Sequence, residues 1–386
     1  MSLDIEYGFT SLNKAGEELC GDNVQIYSDG ENTTVVLADG MGSGVKANIL
    51  SMLTSKILCT MVANEISIED CVETILETLP VCKVRGVAYA TFTVVHIDSN
   101  GRGVMFEFDN PPAIYYHRGR CGDFERQELT VLGKKVYKSN LSLEEGDLIV
   151  FMSDGVIHAG IGMLLNFGWQ RPEVMDFLNK SVTPRMTAKA VACLLAGACN
   201  DLYMDKPGDD TTVAAVKLRK SLNVAIMVGA PVNKDMDDYC VEKLMSYEGK
   251  KAVCGGTTSQ IVARHLGTKV DTVLDFVDKD IPPIGHIDGI DVTTEGVITL
   301  RRLLELAEKY NSTSDLSPKY YDKKDGASLL ANLLFEQATS VHFLVGQSAN
   351  IAHKGLPIDI TMKLKLVERL ADNLRRMGKR VEIEYN

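Results

Sequence analysis

Four aspartates have the residue type and setting for chemistry, because each stands at the end of an apolar strand-like run, next to glycine or asparagine. They are Asp22, Asp39, Asp154 and Asp209. A carboxylate at a strand end is held by a rigid sheet, and a neighbouring glycine lets carbonyl oxygens and waters approach closely. Several such strand ends that converge would form an all-oxygen site suited to Mg2+ or Mn2+.

Two such ions about 3.5–4 Å apart can activate a water and clamp a phosphoryl group for in-line attack. A single Asp-Gly pair is more typical of a turn. The ordered set is more specific: Asp39 opens Asp-Gly-Met-Gly-Ser-Gly, Asp154 lies in Ser-Asp-Gly, and Asp209 opens Asp-Asp-Thr-Thr. The ordered set therefore favours a site for hard cations over a series of separate turns.

The elements that must position these aspartates are short β-branched runs, grouped along residues 1–218. Because the strands are grouped and do not alternate strictly with helices, they favour an α+β layered sandwich. The predicted strands are 33–39, 89–97, 104–108, 113–117, 147–153 and 212–218, and the predicted helices are 45–64, 68–79, 172–179 and 187–203.

Residues 219–386 have a different pattern, in which strands and helices alternate. This predicts a second α/β domain with a mostly parallel sheet and helices on both faces, including a long helix over 292–310. Charge divides at the same place: residues 1–218 hold 18 Lys and Arg against 29 Asp and Glu, whereas residues 219–386 hold 23 of each. We therefore expect two domains, 1–218 and 219–386.

Composition excludes several classes of protein. The 386 residues are 45% hydrophobic and 24% charged, with a formal net charge of -11, which disfavours a generic nucleic-acid or membrane-coating role. No apolar run reaches the ~18 residues of a membrane span, and no signal-peptide pattern opens the sequence. The nine cysteines include no Cys-x-x-Cys pair. We expect a cytoplasmic protein that binds neither nucleic acid nor membrane.

The ordered motifs resemble the metal-dependent protein phosphatase 2C (PPM) superfamily. Gly21-Asp22, Ala38-Asp39-Gly40-Met41-Gly42-Ser43-Gly44, Ser153-Asp154-Gly155 and Asp209-Asp210-Thr211-Thr212 carry the resemblance, and the glycine-rich motif is most similar to the bacterial branch typified by stage II sporulation protein E (SpoIIE). The resemblance covers residues 4–218 and implies an α-β-β-α sandwich. Residues 219–386 resemble no family that we recognise.

The resemblance also implies roles for individual residues. Asp39 would bridge two ions, either Mn2+ or Mg2+, and the Gly40 carbonyl would complete the shell of one of them. Asp154 and Asp209 would hold the other ion, and Asp22 would contribute directly or through water. A metal-activated water would attack phosphoserine or phosphothreonine without a covalent enzyme intermediate. Asp210 would contact the residues that bind the ions without binding an ion itself.

Two further features have open interpretations. By resemblance, the eukaryotic branch has a phosphate-holding Arg before the first acidic motif, and Lys14 occupies a comparable place in the SpoIIE-type pattern. Lys14 could therefore contact phosphate, and it is equally typical of a solvated loop residue. Gly255, Gly256, Thr257 and Thr258 join a predicted strand to a helix, so their amides could bind an anion. A glycine turn with an N-cap explains the same residues.

The favoured hypothesis is a metal-dependent protein serine/threonine phosphatase of bacterial signalling. By resemblance its substrate would be a phosphorylated protein of partner-switching or sporulation-like regulation, such as an anti-anti-sigma-type protein. Residues 219–386 would regulate it, or bind a small molecule or a protein. The alternatives are a non-catalytic, phosphatase-like scaffold or sensor controlled by the carboxyl-terminal domain, and a phosphatase of a small phosphorylated metabolite.

Overall fold

The computed structural model describes residues 2–78, 90–272, 285–312, 325–348 and 358–386. The chain forms two compact units, Met1–Lys220 and Ser221–Asn386. The first unit is built from antiparallel sheets and the second from a mostly parallel sheet.

The described part of the first unit runs through β1 (Leu3–Leu12), β2 (Asp22–Ser28), β3 (Asn32–Gly40), α1 (Gly44–Ala63), α2 (Ile68–Thr78), β4 (Ala90–Asp98), β5 (Arg102–Phe108), β6 (Ile114–His117), β7 (Arg120–Gly122), β8 (Gln127–Val131), β9 (Lys134–Ser142), β10 (Leu148–Met152), α3 (Asp154–Ile157), α4 (Arg171–Ser181), α5 (Ala188–Leu202) and β11 (Thr211–Lys220). One sheet has the strand order β1-β11-β10-β6-β7, and the other has the order β2-β3-β4-β5-β9-β8.

Strand β3 shows how these layers pack. Its side chains alternate between two buried clusters because successive residues of a strand point to opposite faces. Val35 and Leu37 join the core between the two sheets, whereas Val36 and Ala38 pack under α1 and α2. Helix α5 covers the outer face of the other sheet in the same way. These four layers confirm the predicted α-β-β-α sandwich.

The described part of the second unit runs through β12 (Asn223–Val228), a 3-10 turn (Lys234–Met236), α6 (Asp237–Ser246), β13 (Lys250–Cys254), α7 (Gly256–His265), β14 (Asp271–Thr272), β15 (Gly285–His286), β16 (Val292–Thr294), α8 (Val297–Ser312), α9 (Gly326–Ala331), a π-helical turn (Asn332–Gln337), β17 (Ser340–Val345), α10 (Ile358–Arg376) and β18 (Arg380–Tyr385).

The sheet of the second unit has the order β14-β15-β16-β13-β12-β17-β18. Five neighbouring strands of this sheet are parallel, namely β16, β13, β12, β17 and β18. Strands β14 and β15 add an antiparallel edge. Helices α8, α9 and α10 pack on one face, and α6 and α7 pack on the other. The predicted mostly parallel sheet with helices on both faces is therefore confirmed.

The structure corrects several expected boundaries. The long helix predicted over 292–310 is wrong at its start, because Val292–Thr294 pairs with β13 and the helix begins at Val297. The β-branched pair Thr293 and Thr294 suits the strand, and Gly296 separates it from the helix. Seven further strands lie outside the predicted ones, namely β1, β2, β7, β8, β9, β14 and β15. Two predicted terminal residues, Leu79 and Tyr89, lie outside the described residues.

Within the described residues, α1 is long and apolar enough to cross a membrane by length and composition alone. Core helices pass the same test, and α1 buries Ala47, Leu58 and Val62. Its apolar character is therefore weak support for a membrane span.

Candidate metal centre

The hairpin of β2 and β3 places two of the predicted aspartates side by side. In the antiparallel register Asp22 lies opposite Asp39, and Gly40 ends β3. A Cβ atom at Gly40 would come within 2.0 Å of the Ala47 carbonyl oxygen, so only glycine fits between this strand end and α1. The local sequence Asp39-Gly40 therefore places a carboxylate at the rim of the sheet against a helix.

Asp154 joins this pair through Ser153, which links the two sheets. Ser153 is fully buried, and its hydroxyl donates to Asp22 Oδ2 at 2.7 Å and accepts from the Thr212 N–H at 2.9 Å. Asp154 follows directly as the first residue of α3. A Cβ atom at Gly155 would lie 2.1 Å from the Asp210 carbonyl oxygen, so this turn packs directly against the Asp209–Asp210 segment.

The Asp209–Asp210 segment brings Lys14 to the same place. Lys14 Nζ lies 3.6 Å from Asp209 Oδ1, and the Lys14 backbone N–H donates to Asp210 Oδ1 at 3.0 Å. The Lys14 side chain is about one-third exposed (37%), and that of Asp209 is similarly open (41%). The ammonium group therefore stands at the solvent edge of the acidic cluster, beside its carboxylates.

A residue that was not predicted also belongs to the cluster. One side-chain ligand atom from each of Asp154, His158 and Asp209 lies within 4.8 Å of the other two. His158 follows Asp154 by four residues, and positions i and i+4 share one face of a helical turn. That spacing was a usable sequence signal, but only the tertiary structure shows that Asp209 lies beside both.

The electrostatics of this cluster favour a cation. Burial, and then the negative charges of Asp22, Asp154 and Asp209, raise the pKa of Asp39 to about 9. Burial is also the main cause that raises the pKa of Asp22 to about 7, although its hydrogen bond from Ser153 opposes this rise. Packing like charges into a partly buried space disfavours their ionised forms, and a divalent ion would reverse that penalty.

The donor set fits a divalent ion on independent grounds. Asp22 Oδ1 and Asp210 Oδ2 are buried and have no hydrogen-bond partner. Buried polar atoms are normally paired, so two orphaned carboxylate oxygens beside further carboxylates indicate a site for a cation. Asp22, Asp39, Asp154 and Asp209 could hold such ions with the Gly40 carbonyl. Each predicted residue of the first unit is therefore part of one cluster.

The predicted anion-binding loop lies in the second unit. Gly255 precedes α7, Thr258 is buried, and the Ser259 hydroxyl donates back to the Gly255 carbonyl at 2.9 Å. A Cβ atom at Gly256 would lie 3.3 Å from Glu295 Oε2, so a carboxylate of the chain already stands beside this helix start. Anion binding there stays a prediction.

Among families of known proteins, one family model matches the first unit. The family model described as Stage II sporulation protein E (SpoIIE) matches residues 29–219. No curated protein matches the chain.

Solved structures give weaker likenesses. The chain is 22% identical to the PP2C phosphatase domain with a regulatory fragment of SpoIIE from Bacillus subtilis, covering 56% of this chain and 64% of that one, with a TM-score of 0.48. It is 17% identical to the RsbU and RsbW domains of a Mycobacterium tuberculosis protein, covering 63% and 69%, with a TM-score of 0.49. The match thus spans under two thirds of the SpoIIE structure. Residues 29–219 therefore form a domain of the stage II sporulation protein E family.

Proposed function

We propose that this chain is a metal-dependent protein serine/threonine phosphatase. The observation that carries the proposal is the convergence of five carboxylates, Asp22, Asp39, Asp154, Asp209 and Asp210, at one edge of the sandwich, with two buried oxygens unpaired. Membership of the SpoIIE family supports the reaction type. A protein fold without such a site would place these aspartates apart or pair their oxygens.

The residues of the acidic cluster have different roles in this proposal. Asp22, Asp39, Asp154 and Asp209, with the Gly40 carbonyl, would hold two Mn2+ or Mg2+ ions. When bound, these ions would lower the pKa of a water and stabilise the charge on the phosphoryl group. Ser153 holds Asp22 in place through its buried hydrogen bond.

Asp210 has a supporting role in this proposal. Its Oδ1 accepts from the Lys14 N–H, and it packs against Gly21, where a Cβ atom would lie 2.7 Å from Asp210 Oδ2. Asp210 therefore ties the loop that carries Lys14 to the start of β2. Such a tie keeps the lysine next to Asp209, at the open side of the cluster.

Lys14 would contact the substrate's phosphate. Its ammonium group lies beside Asp209, and its side chain is exposed enough to turn toward a ligand. A dianionic phosphate that enters between metal ligands needs positive charge beside it, and a lysine provides this as a point charge. Without substrate, the same ammonium offsets part of the acidic charge.

The substrate in this proposal is a phosphorylated serine or threonine on a protein of bacterial signalling. The family supports this class, and we extend it to a partner-switching protein of the anti-anti-sigma type. The second unit would regulate the phosphatase or recruit its substrate. Its parallel strands carry glycine turns at their carboxyl ends, including Gly229, Gly255 and Gly346, and ligands of open parallel sheets bind at that edge.

The test is phosphate release from a phosphothreonine peptide by the full chain with Mn2+, with Mg2+ or with a chelator. We expect turnover that needs the metal and that falls by about 10³-fold in Asp39→Asn and Asp154→Asn, since each removes several kcal/mol of transition-state stabilisation. Asp176→Asn is the matched control, because Asp176 forms an exposed helical pair with Lys180.

Two results would overturn the proposal. Tight Mn2+ binding without turnover of the peptide or of a phosphorylated protein would favour the scaffold or sensor. Turnover of small phosphorylated metabolites, but of no phosphorylated peptide or protein, would favour the metabolite phosphatase.

A further inference from the structure

His158 lies close enough to Asp154 for both side chains to contact the same metal ion. Helix α3 is a single turn from Asp154 to Ile157, and the His158 N–H donates to the Asp154 carbonyl at 3.0 Å. This turn directs both side chains to the same face. His158 Nδ1 therefore lies 3.7 Å from Asp154 Oδ2, and both side chains are almost half exposed.

Asp209 completes a triangle with these two side chains. One ligand atom of each residue lies within 4.8 Å of the other two, although Asp209 is more than fifty positions away in the sequence. Ligand atoms around one six-coordinate ion at about 2.1 Å stand roughly 3.0 to 4.2 Å apart. The 3.7 Å separation of His158 and Asp154 lies within this range and is too long for a good hydrogen bond.

A separate observation indicates that a cation belongs beside this triangle. Asp22 is 4% exposed, its Oδ1 has no partner, and its Oδ2 is held by Ser153, the residue before Asp154. An ordinary surface ion pair between His158 and Asp154 would leave that buried oxygen unexplained. Asp154, the partner of the histidine, thus follows directly after the residue that holds a group in need of positive charge.

We propose that His158 supplies a nitrogen ligand to the ion held by Asp154 and Asp209, and that this nitrogen biases the site toward Mn2+ over Mg2+. The proposal rests on the metal-dependent function above and specifies the metal preference of the same site. Carboxylates suit hard ions such as Mg2+, whereas an imidazole binds transition-metal ions more strongly. One nitrogen among oxygen donors should therefore weaken the competition from Mg2+.

The test is Mn2+ binding to the full chain by electron paramagnetic resonance. Titration of the free Mn2+ signal gives affinity, and pulsed measurements detect coupling of bound Mn2+ to imidazole nitrogen. We expect nitrogen coupling in the wild type. In His158→Gln the coupling should vanish, and Mn2+ affinity should fall about tenfold or more. His286→Gln, in an exposed pair with Asp288 in the second unit, should change neither.

His158→Glu separates a ligand role from a merely structural one. A carboxylate there should restore Mn2+ affinity without nitrogen coupling and should reduce the ratio of Mn2+ to Mg2+ affinity. Wild-type turnover with Mn2+ but without nitrogen coupling would overturn the role of His158 and leave the phosphatase intact. The same holds if His158→Gln keeps both coupling and affinity. A wild-type chain that binds no Mn2+ would overturn both proposals.

Discussion

Two strand-to-helix turns of this chain share a local design but differ in what surrounds them. In the first unit β3 ends at Gly40 before α1, and in the second β13 ends before Gly255 and Gly256 at α7. Both turns are glycine-rich and follow a buried strand. The first carries Asp39 into a cluster of carboxylates, whereas the second has Glu295 as its charged neighbour.

A glycine turn does not by itself make a site. At Gly40 the tight packing is against a helix backbone, 2.0 Å from the position of a Cβ atom, so the strand end cannot relax. At Gly256 the nearest atom is the end of a flexible glutamate side chain, at 3.3 Å. A rigid turn holds converging carboxylates in place, and a looser turn needs only to start a helix.

The largest difference is expected from adding one methyl group to each turn. Gly40→Ala forces the strand end away from the Ala47 carbonyl, so we expect about 2–3 kcal/mol of destabilisation and loss of Mn2+-dependent turnover. Gly256→Ala requires only a small movement of Glu295 and should leave turnover unchanged. Calorimetry and phosphate release measure both. Equal effects in the two variants would contradict the contrast.

A smaller difference is expected from removing one buried hydroxyl beside each turn. Ser153→Ala leaves the Thr212 N–H and a buried oxygen of Asp22 without their hydrogen bonds, which should cost about 1–3 kcal/mol and lower turnover. Ser259→Ala should cost about 0.5–1 kcal/mol, because the Gly255 carbonyl still accepts from the Ser259 N–H. Denaturant unfolding checks both, and a costlier Ser259→Ala would contradict this reasoning.

The acidic cluster should also make metal-free stability depend on pH. The pKa of Asp39 is raised from 3.8 to about 9 in the folded chain, so its stabilising contribution is complete below about pH 4 and is lost as pH rises toward 9. With chelator present, we expect the Tm of the first unit to fall by a few degrees from about pH 5 to about pH 8.

Two controls identify the source of that pH dependence. Asp39→Asn should reduce the slope of Tm against pH in chelator, because the side chain no longer titrates. Saturating Mn2+ should reduce it in the wild type, since the ion offsets the negative charge. Wild type and Asp39→Asn with the same slope in chelator would contradict a role of Asp39 in it.

The smallest effect is expected at the solvent edge of the cluster. Lys14→Gln should raise KM for a phosphothreonine peptide about two- to fivefold and change kcat little, because an exposed charge contributes at most about 1 kcal/mol. Lys206→Gln, at an exposed lysine three residues before Asp209 in the sequence, is the control. Steady-state kinetics that show equal changes in both variants would reduce Lys14 to general surface charge.

Much of the architecture could be predicted from local patterns. The buried strands β3, β10 and β11 were predictable because both of their faces are apolar. Strands β8 and β9 could not be predicted because they are rich in polar residues, which are also typical of turns. They form strands because β9 pairs with β5 and β8 pairs with β9. β propensity depends on that neighbour, which a single stretch of sequence does not contain.

The order of the amino acids is enough to show which residues carry charge and where the chain must turn. Gly40 and the aspartates at strand ends could be identified from the sequence because a tight turn needs glycine locally, whatever the rest of the fold. Only the tertiary structure placed Ser153 on Asp22, Lys14 beside Asp209, and His158 with Asp154. It also raised the pKa of Asp39, since burial and neighbouring charge exist only once distant segments pack together.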